Sequence, residues 1–412
     1  CPFTRHGKKI FFGFSTIFYI FCRTKPFCIP NPMSAAYLSN LTPMRGIAAL
    51  LTVVYHVNLF VGGVLLTFTP IMNQMHLMVD FFFVLSGFIM MHVYGKWFSE
   101  GVTFASFKKF TIARFARVYP LHFFTLVFAI LLLTIAAAKG VPKIPVLEVE
   151  NSWFSALTNV LLLHSMNLHG WFSWVHASWS ISTEWWMYMV FPFLVVPANK
   201  LGSVGRTVVT VLCFVGYVII MLWIVPLVTT PEEIPFVKIP PEALTINVGY
   251  QYGFLRCFFG FVLGMMMYKG YVEGWGKSWL GNGYTLVLLG IGFFTALHFV
   301  VPEVFSAMFF PFMLLSAAYG SSGMNRLFST KVMQNLGDWS FSIYLTHQPL
   351  IFALLKIPAM FGNRSAPPPL DTPAAWVVCL IFVALTLVIS SLTYRFVEVP
   401  ARKWINPRAT HV

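Results

Sequence analysis

Acidic residues are scarce in this chain. Asp and Glu together number 13 against 27 Lys and Arg, and only 10% of the 412 residues carry charge. Soluble domains average about 25%, so this composition excludes an ordinary water-facing globular surface. Cysteine is sparse as well. The six are scattered without metal spacing, with Cys213, Cys257 and Cys379 in apolar stretches and Cys22 and Cys28 near the N-terminus. That excludes a disulfide framework and a zinc site. There is no internal repeat, and no polar stretch is long enough for a soluble catalytic domain. The formal charge of +14 is no nucleic-acid footprint, because the basic residues cluster in short segments between apolar runs, the pattern of cytoplasmic loops.

Apolar residues, 58% of the chain with a mean hydropathy of +0.76, fill what is left. Many runs reach the roughly 20 residues needed to cross a bilayer. The sequence predicts an all-α, polytopic helical membrane protein. Spans are expected at about 44–66, 77–94, 118–138, 181–197, 207–228, 251–268, 284–301, 304–320, 340–358 and 375–394. Residues 153–168 are apolar but short and interrupted by Asn159 and His164. If they cross, Lys200 and Arg206 fall outside. If they do not, every basic loop and the tail land inside, and the acidic loop with Glu232, Glu233 and Glu242 lands outside. The second solution obeys the positive-inside rule throughout. We therefore expect about ten transmembrane helices, both termini cytoplasmic, and an external half-buried segment at 153–168. Residues 1–40 read as an N-terminal extension upstream of a start at Met33, residues 41–404 as one transmembrane domain, and 405–412 as a cytoplasmic tail.

Ionisable residues inside the spans carry the chemistry. Arg45 opens the first span and His56 follows eleven residues later. Eleven steps of about 100° bring both to one helix face, about 16 Å apart along the axis. Arg45 then sits near one surface and His56 near the midplane, where an imidazole is costly unless it meets a partner or a wet cavity. The plain alternative is an interior histidine that is merely hydrogen-bonded. In Val79–Phe88, Asp80 stands at the outer entrance of the second span, able to pair with a buried base or to bind substrate, while Ser86-Gly87 reads as a close-packing pair. Arg114 and Arg117, three apart, share a face at the inner mouth of the third span. Guanidinium forks grip phosphates, although charge alone equally serves orientation or anionic lipid. Glu184, in Trp179-Ser-Ile-Ser-Thr-Glu184, lies just inside an aromatic belt, suited to accept a proton or a sugar hydroxyl. Asp338-Trp-Ser-Phe-Ser-Ile-Tyr344-Leu-Thr-His347 brings a second histidine into a late span. Arg256 is a further intramembrane charge that Asp80 or Glu184 would neutralise; the sequence leaves the pairing open.

In order along residues 41–404, these motifs resemble the membrane acyltransferase-3 family. They are Arg45 to His56, Asp80-Phe-Phe-Phe-Val-Leu-Ser86-Gly87, Arg114-x-x-Arg117, Trp179-Ser-x-Ser-x-Glu184 with Tyr188 and Pro192, Tyr344-Leu-x-His347, and Tyr394-Arg-Phe-Val-Glu398-x-Pro400. The run after Thr183 departs from the family's usual Glu-Glu-x-Phe. The resemblance implies transfer of an acyl group, acetyl by family frequency, from cytoplasmic acyl-CoA to a hydroxyl of a surface or exported carbohydrate or glycolipid. It implies His56 as general base or acyl carrier, with Arg45 and Glu184 completing the catalytic set. Arg114 and Arg117 would hold acyl-CoA, and Asp80, Tyr344 and His347 would bind substrate. No metal or nucleic acid is expected, membrane lipid is the surrounding partner, and a bacterial inner membrane is the expected location. A proton-coupled transporter or glycolipid flippase is the reading from another class. The missing internal repeat and the weak broken-helix signal at Gly62-Gly63, Gly260 and Gly264 count against it.

Overall fold

Large apolar side chains face outward over much of this molecule. On the helix from 372 to 393, Leu380 and Ile381 are more than 60% exposed, and Leu131, Val211, Leu212 and Val287 are more than half exposed on three others. Soluble monomers rarely expose such contiguous apolar surface, whereas lipid tails solvate it. The protein is an integral membrane protein. The computed structural model describes residues 38–65, 68–144, 147–228, 244–362 and 371–407. The expectations for the N-terminal extension and Met33, for Glu232, Glu233 and Glu242, and for the tail from Arg408 fall outside those residues.

All regular structure among the described residues is helical. In order the helices are α1 (Leu41–Phe60), α2 (Met78–Tyr94), α3 (Phe104–Ala138), α4 (Trp153–Val160), α5 (Trp179–Lys200), α6 (Ser203–Ile219), α7 (Gly253–Val272) and α8 (Lys277–Leu280). Then come α9 (Gly283–His298), α10 (Glu303–Ala307), α11 (Phe309–Tyr319), α12 (Ser322–Phe328), α13 (Lys331–Asp338), α14 (Ser340–Met360), α15 (Thr372–Thr393) and α16 (Val399–Ile405). Five continuous helical stretches are long and apolar enough to cross a membrane: Leu41–Phe60, Pro70–Phe98, Phe104–Ala138, Ser203–Leu227 and Thr372–Ile405. The bent pair Glu303–Tyr319 and Ser322–Phe328, kinked by 91°, makes six if counted as one span. Helices α5, α7, α9 and α14 lie where the sequence predicts further spans, and none of the four meets that criterion alone.

Two boundaries differ from expectation. The basic stretch before residue 118 is no loop; it forms the first turns of α3, whose 35 residues run about 52 Å. A capping box, with Thr103 and Ser106 side chains each bonded to the other's backbone N–H, starts the helix there. Segment 153–168 contributes only the eight-residue α4, about 12 Å long, followed by irregular backbone with left-handed Leu162 (φ 56°), Asn167 (φ 58°) and Trp174 (φ 52°).

Helices α2 and α7 form the centre of the bundle. A Cβ on Gly87 would stand 1.9 Å from the Phe261 carbonyl oxygen, and one on Gly264 would stand 1.9 Å from that of Val84. Glycine on both helices lets their backbones touch, the close approach available where no hydrophobic force separates helix from lipid. The contact aligns the outer-to-inner register of α2, and hence everything its other face presents.

Candidate active site

A cavity of about 130 Å³ opens against the other face of α2 and is closed by α1, α3, α5 and α14. The helix registers give it a direction. Going down α2 its lining passes Val79, Phe82, Phe83, Ser86, Ile89 and Met90; down α5 it passes Ser180, Ile181, Glu184 and Tyr188; and α14 supplies Ser340 and then Tyr344. Arg45, Arg114 and Arg117 line it beside Met90, Tyr188 and Ser340. One end is therefore cationic and the other apolar. From Met90 to Val79 is about 16 Å along the helix axis.

Polar groups inside the cavity are tied to one another. Glu184 Oε1 accepts from Ser86 Oγ at 2.5 Å and from Tyr188 Oη at 2.5 Å. Arg114 donates from Nη2 to Tyr94 Oη at 2.7 Å and lies over the rings of Tyr94 and Tyr188. The Arg45, Arg402 and Arg114 guanidiniums lie near enough to Arg117 to act on it electrostatically. Three cations at one mouth, with Arg402 nearby, make an anion-attracting funnel. Tyr344 Oη lies 2.7 Å from Ser180 Oγ at the apolar end.

The two span histidines meet behind Tyr344. The His56 and His347 ring centroids are 4.8 Å apart, and the Tyr344 centroid is 6.1 Å from that of His347. His56 Nδ1 lies 2.9 Å from the Thr52 carbonyl oxygen, one turn back on its own helix, and His347 Nδ1 lies 3.3 Å from that of Ile343. A carbonyl only accepts, so Nδ1 carries the hydrogen in each neutral ring and Nε2 keeps its lone pair. His347 is fully buried, and its Nε2 has no hydrogen-bond partner. Neither histidine lines the cavity itself; Tyr344 joins the two places.

Two expected site residues, Asp80 and Arg117, are held by ion-pair partners, and Glu184 lies within the cavity. Asp80 is fully buried, with Oδ1 2.9 Å from Arg256 Nε and Oδ2 2.6 Å from Arg256 Nη2, and Tyr217 also donates to it. Arg256 donates besides to Asn247 and to the Val248 carbonyl. A carboxylate sealed this way is a structural counter-ion with no room for substrate; breaking such a pair costs about 3–5 kcal/mol. Glu184 is not at the outer surface. It lies half-buried within the cavity, level with Ser86 and near Arg114. Arg117 lines the mouth but is ion-paired to Glu398, which is buried at the turn between α15 and α16 and also accepts from Ser342 Oγ at 3.1 Å.

The sequence reading missed several partners. Ser86 was read as packing, yet it donates to Glu184, while Gly87 makes the close contact. Tyr55 stacks edge-on against His56 at 4.9 Å and lies 5.8 Å from His76, which in turn pairs with Glu303 at 2.9 Å. An aromatic next to a span histidine was the available signal; the Glu303 pairing joins residues 227 positions apart and left none. Among the described residues no group of three side chains is arranged to hold a metal ion.

The family profile described as an acyltransferase domain matches residues 39–395. Peptidoglycan O-acetyltransferase OatA of Listeria monocytogenes is 23% identical over 395 residues, 90% of this chain and 56% of its own length. Acyltransferase MdmB of Streptomyces mycarofaciens is 25% identical over 405 residues, 92% of this chain and 95% of its own. Protein 2 in the picA locus of Rhizobium radiobacter is 33% identical over 153 residues, 35% of this chain and 75% of its own. No solved structure matches. This chain thus spans little more than half of OatA and nearly all of MdmB. A match running from two residues before α1 to two residues past the end of α15 makes this chain a member of the acyltransferase-3 family.

Proposed function

We propose that the protein moves an acyl group, acetyl first among candidates, from cytoplasmic acyl-CoA to a hydroxyl of a surface or exported carbohydrate, with His56 as the catalytic base. The observation that carries this is the shape of the cavity. It has a mouth with three arginines and runs to Tyr344, whose ring lies 6.1 Å from that of His347; His56 stands 4.8 Å beyond, and the His347 Nε2 has no hydrogen-bond partner. CoA is an elongated polyanion with a thioester at its far end. Arg45, Arg114 and Arg402 offer its phosphates charge at the mouth, and Arg117, although paired with Glu398, adds to the same field. The basic residues of α3 and of the loop before it support a cytoplasmic mouth under the positive-inside rule; ten spans with both termini inside are part of the same proposal.

The reaction balances without an added reagent. His56 Nε2 takes the proton from the acceptor hydroxyl, the oxygen attacks the thioester carbonyl, a C–O bond forms and the C–S bond breaks. The proton then passes to the leaving thiolate as CoA thiol. The same lone pair would carry the acyl group if an acyl-histidine intervenes. Glu184 holds the Ser86 and Tyr188 hydroxyls along the cavity. Tyr344 lines the approach of the reacting groups, with His347 behind it. The carbohydrate acceptor is supported by the peptidoglycan O-acetyltransferase relative; family membership favours acyl transfer over a transporter or flippase. A bacterial inner membrane is the location we propose, in keeping with the bacterial relatives.

Membranes holding wild type or His56→Ala, given labelled acetyl-CoA and a host carbohydrate extract, test this. Wild type is expected to release CoA and label carbohydrate, with the variant lower by about 10²- to 10⁴-fold at equal protein level. Equal transfer by both removes His56 from the chemistry. Uptake of a solute without CoA release would replace the enzyme with the transporter.

A further inference from the structure

We propose that the apolar end of the cavity is the acyl pocket of the donor and that Phe82 sets the longest chain it accepts; this rests on the acyl-CoA reading above. Four helices agree on which end is which. Where α2, α3, α5 and α14 present arginine, tyrosine and serine, the cavity suits phosphate and pantetheine amides. One to two turns further on, the lining changes to Val79, Phe82, Phe83 and Ile181, with Tyr344 held by Ser180. An apolar end beside the two imidazoles places the thioester near Tyr344 and leaves its tail no polar neighbour except that tied hydroxyl.

Phe82 narrows this end, with Val79 lining it about one turn beyond. Its ring meets Tyr344 edge-on at 5.8 Å and Phe81 at 6.4 Å, and it packs against three separate apolar clusters of the bundle. Yet it is only partly buried, because one side fronts the cavity. Ser86, bonded to Glu184 within the cavity, is one turn from Phe82, about 6 Å. That distance holds a few methylenes before the chain meets the ring. A longer chain must displace a ring that Tyr344 and the neighbouring clusters hold in place, so short acyl groups fit and long ones clash.

The test uses the full chain in membranes, comparing wild type, Phe82→Ala and the milder Phe82→Leu. Release of CoA from acetyl-, butyryl-, hexanoyl- and octanoyl-CoA is measured with the same carbohydrate extract. The quantity read is the ratio of each rate to the acetyl rate, which a uniform loss of folded protein does not move. Wild-type rates are expected to fall with chain length. Phe82→Ala should raise the hexanoyl-to-acetyl ratio by about tenfold or more, since each accommodated methylene is worth about that in a fitted pocket. Phe82→Leu should raise the butyryl ratio by less. If Phe82→Ala fails to accumulate, the Phe82→Leu ratio decides. Unchanged ratios, with wild type active on acetyl-CoA, overturn the pocket assignment and leave the proposed function standing. No CoA release by wild type from any donor overturns both.

Discussion

At the level of single residues, the chemistry depends on where one lone pair points. His56 and His347 each anchor Nδ1 on the carbonyl four residues back, a bond any helical histidine can make. What distinguishes them is that the two rings then face each other at 4.8 Å with Nε2 unspent on the buried partner. The common face of Arg45 and His56 was legible from eleven helical steps. The approach of His347 was not, because it joins residues 291 apart through the packing of α1 on α14. Replacing His347 by Phe keeps the volume and removes the nitrogens. Single-turnover measurement is expected to give acyl transfer slower by about tenfold or more, with acyl-CoA binding unchanged. Full turnover would reduce His347 to packing.

Among the elements, the α2–α7 contact governs the register of α2, since it fixes the height of Asp80 against Arg256. Gly264→Leu drives a side chain into the Val84 carbonyl and should cost about 3 kcal/mol, read as a lower melting temperature in detergent. Gly290→Leu, on a glycine of α9 with open space around its Cβ position, should leave the melting temperature unchanged. An equal loss in both would mean that any leucine in these helices destabilises, and that the close approach is not the cause. Basic residues misled the reading of α3. Lys108, Lys109 and Arg114 suggest a loop by charge, but a helix projecting beyond the bilayer carries them as well, and its start is marked only by the Thr103–Ser106 cap.

Across the whole molecule, residues 147–178 pack over α3, α5 and α14 through bonds such as Tyr119 to the Val160 carbonyl, Ser182 to the Leu162 carbonyl and the Ala177 N–H to Gln348. His164 and His176 lie in this segment outside the spans, and burial pushes both imidazoles down to about 3, His122 adding to the effect on His164 and the Leu147 carbonyl opposing it on His176. In the unfolded chain each titrates near about 6.5. Between these values the unfolded chain binds more protons, so stability rises with pH across that window. It is complete above about 6.5 and is lost as the pH falls toward 3. The melting temperature in detergent should therefore fall from pH 7 to pH 4, and His164→Gln should flatten the fall by removing up to about 1.4 kcal/mol per pH unit. An identical profile in the variant would place the acid sensitivity elsewhere.

Class, membrane embedding and most helix positions follow from the sequence alone, because length and apolarity are properties of local segments and lipid demands helices whose backbone bonds close within themselves. The order of the motifs likewise gave the family and the identity of the ionisable groups. Which of those groups meet was decided only by tertiary structure. Asp80 and Glu184 are both acids in apolar helices, equally able on paper to neutralise Arg256 or to serve a substrate. The backbone contact of α2 on α7 set Asp80 against Arg256 and left Glu184 in the cavity between Ser86, Tyr188 and Arg114. Pairing of buried charges depends on ångström distances between helices far apart in sequence, and no local pattern records them.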